Sequence, residues 1–81
     1  METIINSIEE LKSKALNRDL SVYIKLKGGM KSSKEIYFNE EQNIFEVFSS
    51  IDGKSQAFTE EQLKTNTNIV DAINNKVLII E

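Results

Sequence analysis

Four lysines surround a pair of glycines in the segment 25–34, and these residue types at this spacing could bind an anion. They are Lys25, Lys27, Lys31 and Lys34, with no acidic residue among them. Glycine-rich backbone can direct N–H groups at a phosphate, while lysines neutralise its charge. The segment is not a P-loop, which ends in Gly-Lys followed by Ser or Thr and opens a helix. We prefer the alternative of a solvated hairpin tip, whose lysines discourage pairing with another sheet.

A second group with binding chemistry is aromatic. Alternation of apolar and polar residues predicts two faces for a sheet, and the outer face carries a candidate partner-binding set: Tyr23, Lys25, Glu35, Tyr37 and Phe48. Ile44, Glu46 and Ala57 are predicted beside them. Either the C-terminal helical segment covers this face as a second small core, or the face is open and binds a partner through its aromatic anchors. Stacking of nucleic-acid bases is disfavoured by the neighbouring acids.

Catalytic and metal-binding side chains are scarce. The chain has no histidine and no cysteine, which removes the usual general base, the thiolate nucleophile and the commonest transition-metal ligands. The acidic pairs Glu40–Glu41 and Glu60–Glu61 are adjacent in sequence, so their side chains diverge. Asp52 and Gly53 lack the spaced ligands of a calcium loop. We therefore expect no enzymatic activity, no metal and no cofactor.

The N-terminal residues 3–17 have apolar side chains at helical spacing, which predicts an amphipathic helix. Thr3 is the expected N-cap, and Asn17 is expected to end the helix in the left-handed conformation.

Residues 20–27 alternate without a break, which predicts a strand that pairs with residues 34–39 through a loop of 28–32. The outer-face pairs that this register predicts are Tyr23 with Tyr37 and Lys25 with Glu35. Aromatic and opposite-charge pairs both stabilise antiparallel strands, which favours the register.

A third strand is predicted over residues 44–51, with Phe38 opposite Phe45 and Ile36 opposite Val47. A one-residue slip would move these apolar side chains to the wrong face. Asp52-Gly53 then predicts a two-residue type I′ turn into a short strand of residues 54–58. The pairs expected across that turn are Ile51 with Lys54, Val47 with Phe58 and Phe48 with Ala57.

The C-terminal third opens with a capping box, Thr59 to Gln62, which predicts a short helix over 60–65. A second helical turn is expected over 68–74. Residues 77–80 are a continuous apolar run, typical of a strand covered on both faces and placed beside the first strand. One side of this strand has no assigned partner, and an unpaired edge there would aggregate or dimerise unless it is covered.

The sequence thus predicts a single α+β domain over residues 1–81, ordered α-β-β-β-β-α-β. An antiparallel four-stranded meander carries the N-terminal helix on one face and is followed by short helical segments and a C-terminal strand. The net charge of −3 and the absence of a signal-like or membrane-spanning run favour a cytoplasmic protein that does not bind membranes, and they disfavour nucleic acid as a partner. An anion or nucleic-acid binder that uses the lysines of residues 25–34 is the alternative function. We expect a protein-interaction module, an inhibitor or accessory protein, whose partner is another protein or itself.

Overall fold

A six-stranded antiparallel sheet organises the protein in a computed structural model that describes residues 2–50, 53–65 and 67–80. The elements in chain order are β1 (Thr3–Ile4), α1 (Ile8–Lys14), β2 (Leu20–Lys25), β3 (Lys31–Asn39), β4 (Ile44–Ser49), β5 (Lys54–Thr59), α2 (Glu60–Lys64), α3 (Thr67–Asn74) and β6 (Leu78–Ile80). The strand order across the sheet is β1-β6-β2-β3-β4-β5. The predicted small α+β fold is confirmed, whereas the four-stranded meander describes only the β2–β5 part of the sheet.

The N-terminal segment begins as a strand rather than a helix. β1 pairs with β6, with Thr3 opposite Ile80, so the prediction of Thr3 as a helix cap was wrong. Ser7 caps α1 instead, because its hydroxyl oxygen accepts a hydrogen bond from the Glu10 N–H over 3.1 Å. Asn17 adopts the left-handed conformation, with φ of 52°, but it does not end the helix, because α1 ends at Lys14 and its C-cap is Ala15.

The C-terminal strand β6 lies inside the sheet, between β1 and β2. It runs antiparallel to β2, with Leu78 opposite Ile24. The apolar run was therefore interpreted correctly as an interior strand beside the first predicted one. The side of the strand that had no assigned partner is covered, because the two residues of β1 pair with it.

The pairing of β2 with β3 differs from the predicted register by four residues. Tyr23 is opposite Ser33, and Lys25 is opposite Lys31, so the Tyr23–Tyr37 and Lys25–Glu35 pairs do not form. The reason is the loop: a 3₁₀ turn over Lys27–Gly29 places both glycines inside it, with φ of 76° and 80°. These left-handed conformations favour glycine, and they end β2 two residues earlier than alternation predicts.

Of the two later hairpins, the first has the predicted register and the second does not. Phe38 faces Phe45 and Ile36 faces Val47, as predicted for β3 and β4. Between β4 and β5 the loop is longer than the predicted two-residue turn, and the Gly53 N–H donates to the Ser49 carbonyl over 2.9 Å. The observed pairs there are Phe45 with Phe58, Val47 with Gln56, Phe48 with Ser55 and Ser49 with Lys54. This shift of two residues follows from the longer loop and places Phe58 opposite Phe45 instead of the predicted Val47. The predicted Ile51 pairing and the Asp52 turn position lie outside the described residues.

The core lies on one face of the sheet, under all three helices. Phe38 and Phe45 form its centre, with ring centroids 4.7 Å apart. Their neighbours in a single buried cluster come from the inner-face strand positions and from α1, α2 and α3, and include Leu11, Val22, Ile36, Leu63, Ile69, Ile73 and Leu78. The inner face predicted from alternation is thus the face that the helices cover.

Both hydrogen bonds of the predicted capping box are present at the start of α2. The Thr59 hydroxyl accepts from the Gln62 N–H over 3.1 Å, and the Gln62 side chain accepts from the Thr59 N–H over 2.9 Å. Glu60, in the first turn, also accepts a hydrogen bond from the Lys12 ammonium over 3.1 Å, which joins α2 to α1. Lys64 approaches the same carboxylate at 3.6 Å.

The hydrogen bond from Lys12 lowers the pKa of Glu60 below its ordinary value of 4.5. A carboxyl group with a lowered pKa in the folded state stabilises the fold above the unfolded value, and the stabilisation is lost as the pH falls through the folded value. We therefore expect Glu60→Gln to lower the unfolding free energy at pH 7 by less than about 1 kcal/mol, with the difference vanishing in acid, once the pH is below the lowered pKa of Glu60 in the folded state. Urea denaturation at pH 7 and in acid measures it.

Glu61→Gln is the matched control, because it removes the same charge one residue further along α2, where no ion pair occurs within the described residues. A Glu60→Gln difference that persists unchanged in acid would contradict the assignment of the stabilisation to the ion pair.

Candidate functional site

The outer face of the sheet has no helix packed over it in the described ranges. The C-terminal helices bury Leu63, Ile69 and Ile73 in the same cluster as the inner-face residues Val22 and Ile36. A second small core on the outer face, one of the two alternatives from the sequence, therefore does not form from these helices. Phe48 on that face is 38% exposed.

The five residues of the predicted partner site lie at two different ends of this face. Tyr23 and Lys25 are near the β2–β3 loop, where they pair with Ser33 and Lys31. Tyr37 is four residues further along β3 than Ser33, a separation of roughly 13 Å at the usual rise of a strand. Glu35, Tyr37 and Phe48 form the other group, because Glu35 faces Phe48 across β3 and β4.

At the Tyr23 end the charges are compensated within the chain. The Lys31 ammonium lies 5.7 Å from the centroid of the Tyr23 ring, and Lys25 forms an ion pair with Glu2. The hydrogen bond from Lys25 lowers the pKa of Glu2. Tyr23 is also directly opposite Ile79, which is completely buried. Tyr23 and Lys25 thus already have contact partners within the chain.

At the other end, four side chains form a square of alternating type, which we call the acidic–aromatic square: Glu35, Tyr37, Glu46 and Phe48. Tyr37 is opposite Glu46 and Glu35 is opposite Phe48, so the two carboxylates occupy one diagonal and the two rings the other. Directly opposite residues have Cβ atoms roughly 5 Å apart, so all four side chains border one small area.

A shallow cavity of about 400 Å³ lies over the acidic–aromatic square. Its lining is completed by Asp19, which precedes β2, and by the polar side chains of Asn39 and Ser55. Among the described residues, the lining therefore has three carboxylates and no cationic side chain. None of these carboxylates takes part in an ion pair within residues 2–50, 53–65 and 67–80. The arrangement can accept hydrogen bonds and attract positive charge.

The four lysines of the predicted anion site do not converge. Lys25 and Lys31 are opposite each other on the outer face, and Lys27 lies in the 3₁₀ turn. Lys34 is opposite Val22 and hence on the inner face, where it lines a separate pocket of about 110 Å³ with Lys54 and Asn68. The loop therefore presents its lysines in different directions rather than to one bound anion.

Three lining residues, Asp19, Asn39 and Ser55, were predicted neither as part of a binding site nor beside one. Asp19 lies directly before the first predicted strand, which begins at residue 20. Its position could have been found by extending the alternation backwards, because residues 19, 21 and 23 have the same parity and hence the same face. Asn39 follows from the same rule applied to β3.

Comparison of the chain with protein-family models, with curated proteins and with solved structures found no match. Among the residues that the structure describes, no three acidic side chains are grouped closely enough to hold a metal ion. Over the same residues, none of the helices has the length and apolar character needed to cross a membrane. The outer sheet face is therefore the feature that bears on function.

Proposed function

We propose that this protein is a non-enzymatic protein-interaction module, an inhibitor or accessory protein that binds a partner protein through the outer face of its sheet. The observation that carries the proposal is the uncovered outer face with two aromatic side chains, Tyr37 and Phe48, set between carboxylates. Aromatic side chains supply much of the binding energy in protein interfaces. A polar surround keeps such a patch soluble when no partner is bound.

Support is unequal among the residues proposed to bind the partner. Glu35, Tyr37 and Phe48 border one cavity, so a single partner segment could contact all three. Tyr23 and Lys25 lie at the other end of the face and are engaged by Lys31 and Glu2. They would contact only a partner large enough to cover both ends.

An anion or nucleic-acid binder that uses Lys25, Lys27, Lys31 and Lys34 remains the second candidate. Its support is the local excess of positive charge in an otherwise acidic chain. The divergent directions of these lysines weaken it. A cytoplasmic setting is also part of the proposal, and it is supported by the absence of cysteine, which suits a reducing compartment.

The test is partner capture from source-cell lysate with the immobilised full chain. The double substitution Tyr37→Ser with Phe48→Ser is expected to abolish capture, because it removes both aromatic anchors while leaving the inner-face core unchanged. Quantitative mass spectrometry of the captured proteins provides the measurement, and circular dichroism shows whether each variant is folded.

Leu26→Ser with Met30→Ser is the matched control. These two apolar side chains are 47% and 65% exposed at the β2–β3 loop, away from the acidic–aromatic square. The control should capture the same partner as the unchanged protein. Equal capture by all three proteins would refute the proposed site, and loss of capture only in the control would move the site to the loop.

A further inference from the structure

We propose that the acidic–aromatic square binds an arginine side chain presented by the partner protein. The inference rests on the proposed function and specifies the chemistry of the partner. It follows from the alternating arrangement of two carboxylates, Glu35 and Glu46, with two rings, Tyr37 and Phe48, beneath one cavity.

Each component of the square matches one property of a guanidinium group. Guanidinium is planar and presents its N–H donors in a fork that fits a carboxylate with two parallel hydrogen bonds. Its flat faces stack on aromatic rings, and its positive charge is attracted to the ring face. Glu35 and Glu46 supply acceptors on one diagonal, and Tyr37 and Phe48 supply ring surface on the other. Asp19 adds a third carboxylate at the rim.

At the opposite end of the same face, an aromatic ring already has a cation from the same chain beside it. There, the Lys31 ammonium lies over the Tyr23 ring, and Lys25 pairs with Glu2. In the part of the chain described, no lysine or arginine lies over Tyr37 or Phe48. The charge and ring surface at the square are therefore complementary to a cation that must come from another molecule.

Charge also separates arginine from other occupants. The part of the cavity lining that the structure describes contains three acids and no base, so an anionic ligand would be repelled. Lysine could satisfy one carboxylate as a compact ammonium but offers no planar face and no bidentate fork. A second copy of this chain could supply only Arg18, the sole arginine in the sequence, which precedes Asp19.

The experiment titrates the full ¹⁵N-labelled chain with three blocked glycine peptides whose central residue is arginine, lysine or citrulline, followed by NMR. Citrulline matches the shape of arginine without its charge. The arginine peptide is expected to shift the amide resonances of Glu35, Tyr37, Glu46 and Phe48, with a dissociation constant of about 1 mM or tighter. The lysine peptide should bind more weakly, and the citrulline peptide should leave these resonances unchanged.

A pair of charge-matched variants tests the carboxylates. Glu35→Gln with Glu46→Gln is expected to weaken the arginine peptide about tenfold, which corresponds to about 1.4 kcal/mol. Glu40→Gln with Glu41→Gln removes the same number of negative charges from the exposed β3–β4 loop. It should leave the affinity for the arginine peptide within about twofold, because long-range attraction to these exposed charges is screened by salt. The NMR spectrum of each variant reports whether its fold is intact.

Each of the following peptide and assembly results would overturn the inference: no shifts at the square, equal binding of the citrulline peptide, equal loss in both double variants, or a dimer in light scattering that Arg18→Gln dissociates. The dimer result would make a second copy the occupant. The proposed function is judged separately by the lysate experiment. If Tyr37→Ser with Phe48→Ser abolishes capture while Glu35→Gln with Glu46→Gln does not, the interaction surface stands and the arginine inference fails.

Discussion

Phe45→Ala is expected to lower the free energy of unfolding by about 3–5 kcal/mol, the usual cost of truncating a buried phenylalanine. Phe45 is fully buried, lies 4.7 Å from the Phe38 ring and is opposite Phe58 in β5. A domain of this size has a total stability toward the lower end of about 5–15 kcal/mol. The variant should therefore be mostly unfolded at 37 °C, or should keep only a marginal free energy of unfolding. Urea denaturation followed by circular dichroism measures the loss.

Phe48→Ala is the matched control, since it makes the same change three residues later in the same strand. Phe48 points to the outer face and is 38% exposed, so its truncation should cost less than about 1.5 kcal/mol. Similar losses in the two variants would contradict the assignment of the faces. The expected difference also supports the binding experiments, because outer-face substitutions can then be made in a folded protein.

The faces of the sheet were predictable from the sequence because a strand places alternate residues on opposite sides. Phe45 and Val47 were assigned to the core in this way, and their register with β3 was correct. A slip by one residue there would have exposed both side chains. The capping box at Thr59 was equally predictable, because hydroxyl and amide side chains three residues apart satisfy the helix terminus locally.

The register between β2 and β3 could not be obtained from the same rule. A shift of four residues is even, so it leaves every side chain on its own face. The sequence pattern therefore permits both registers, and the loop selects one by requiring left-handed conformations at Gly28 and Gly29. This choice separates Tyr23 from Tyr37, so the composition of the candidate site depends on the backbone of the loop.

The N-terminal segment illustrates a second limit. Ile4 and Ile5 fit the apolar stripe of a helix, yet they enter the sheet, because the Ile5 N–H donates to the Leu78 carbonyl over 2.8 Å. That partner lies more than seventy residues away, and local periodicity contains no information about it. The same distant pairing fills the side of β6 that the sequence left without a partner.

Ile79→Ala is expected to lower the free energy of unfolding by about 2–4 kcal/mol, although Ile79 belongs to the outer face. Its side chain is completely buried, and its partners in the sheet are Ile4 on one side and Tyr23 on the other. Both the loss of buried apolar surface and the cavity left between these neighbours contribute to the cost. Urea denaturation again measures it.

Ile79→Val should cost only about 0.5–1.5 kcal/mol, because a single methylene group is removed. Together with Phe48→Ala, the Ile79 substitutions test whether the two ends of the outer face differ. At the Tyr23 end the neighbouring side chains bury Ile79, whereas the acidic–aromatic square is open to solvent. A small loss for Ile79→Ala would mean that the Tyr23 end is also open. The binding surface would then extend along the whole face, and Tyr23 and Lys25 would rejoin Tyr37 and Phe48 as partner contacts. A large loss confines the apolar contact surface to the square, whose two carboxylates and two rings match the chemistry of a guanidinium group.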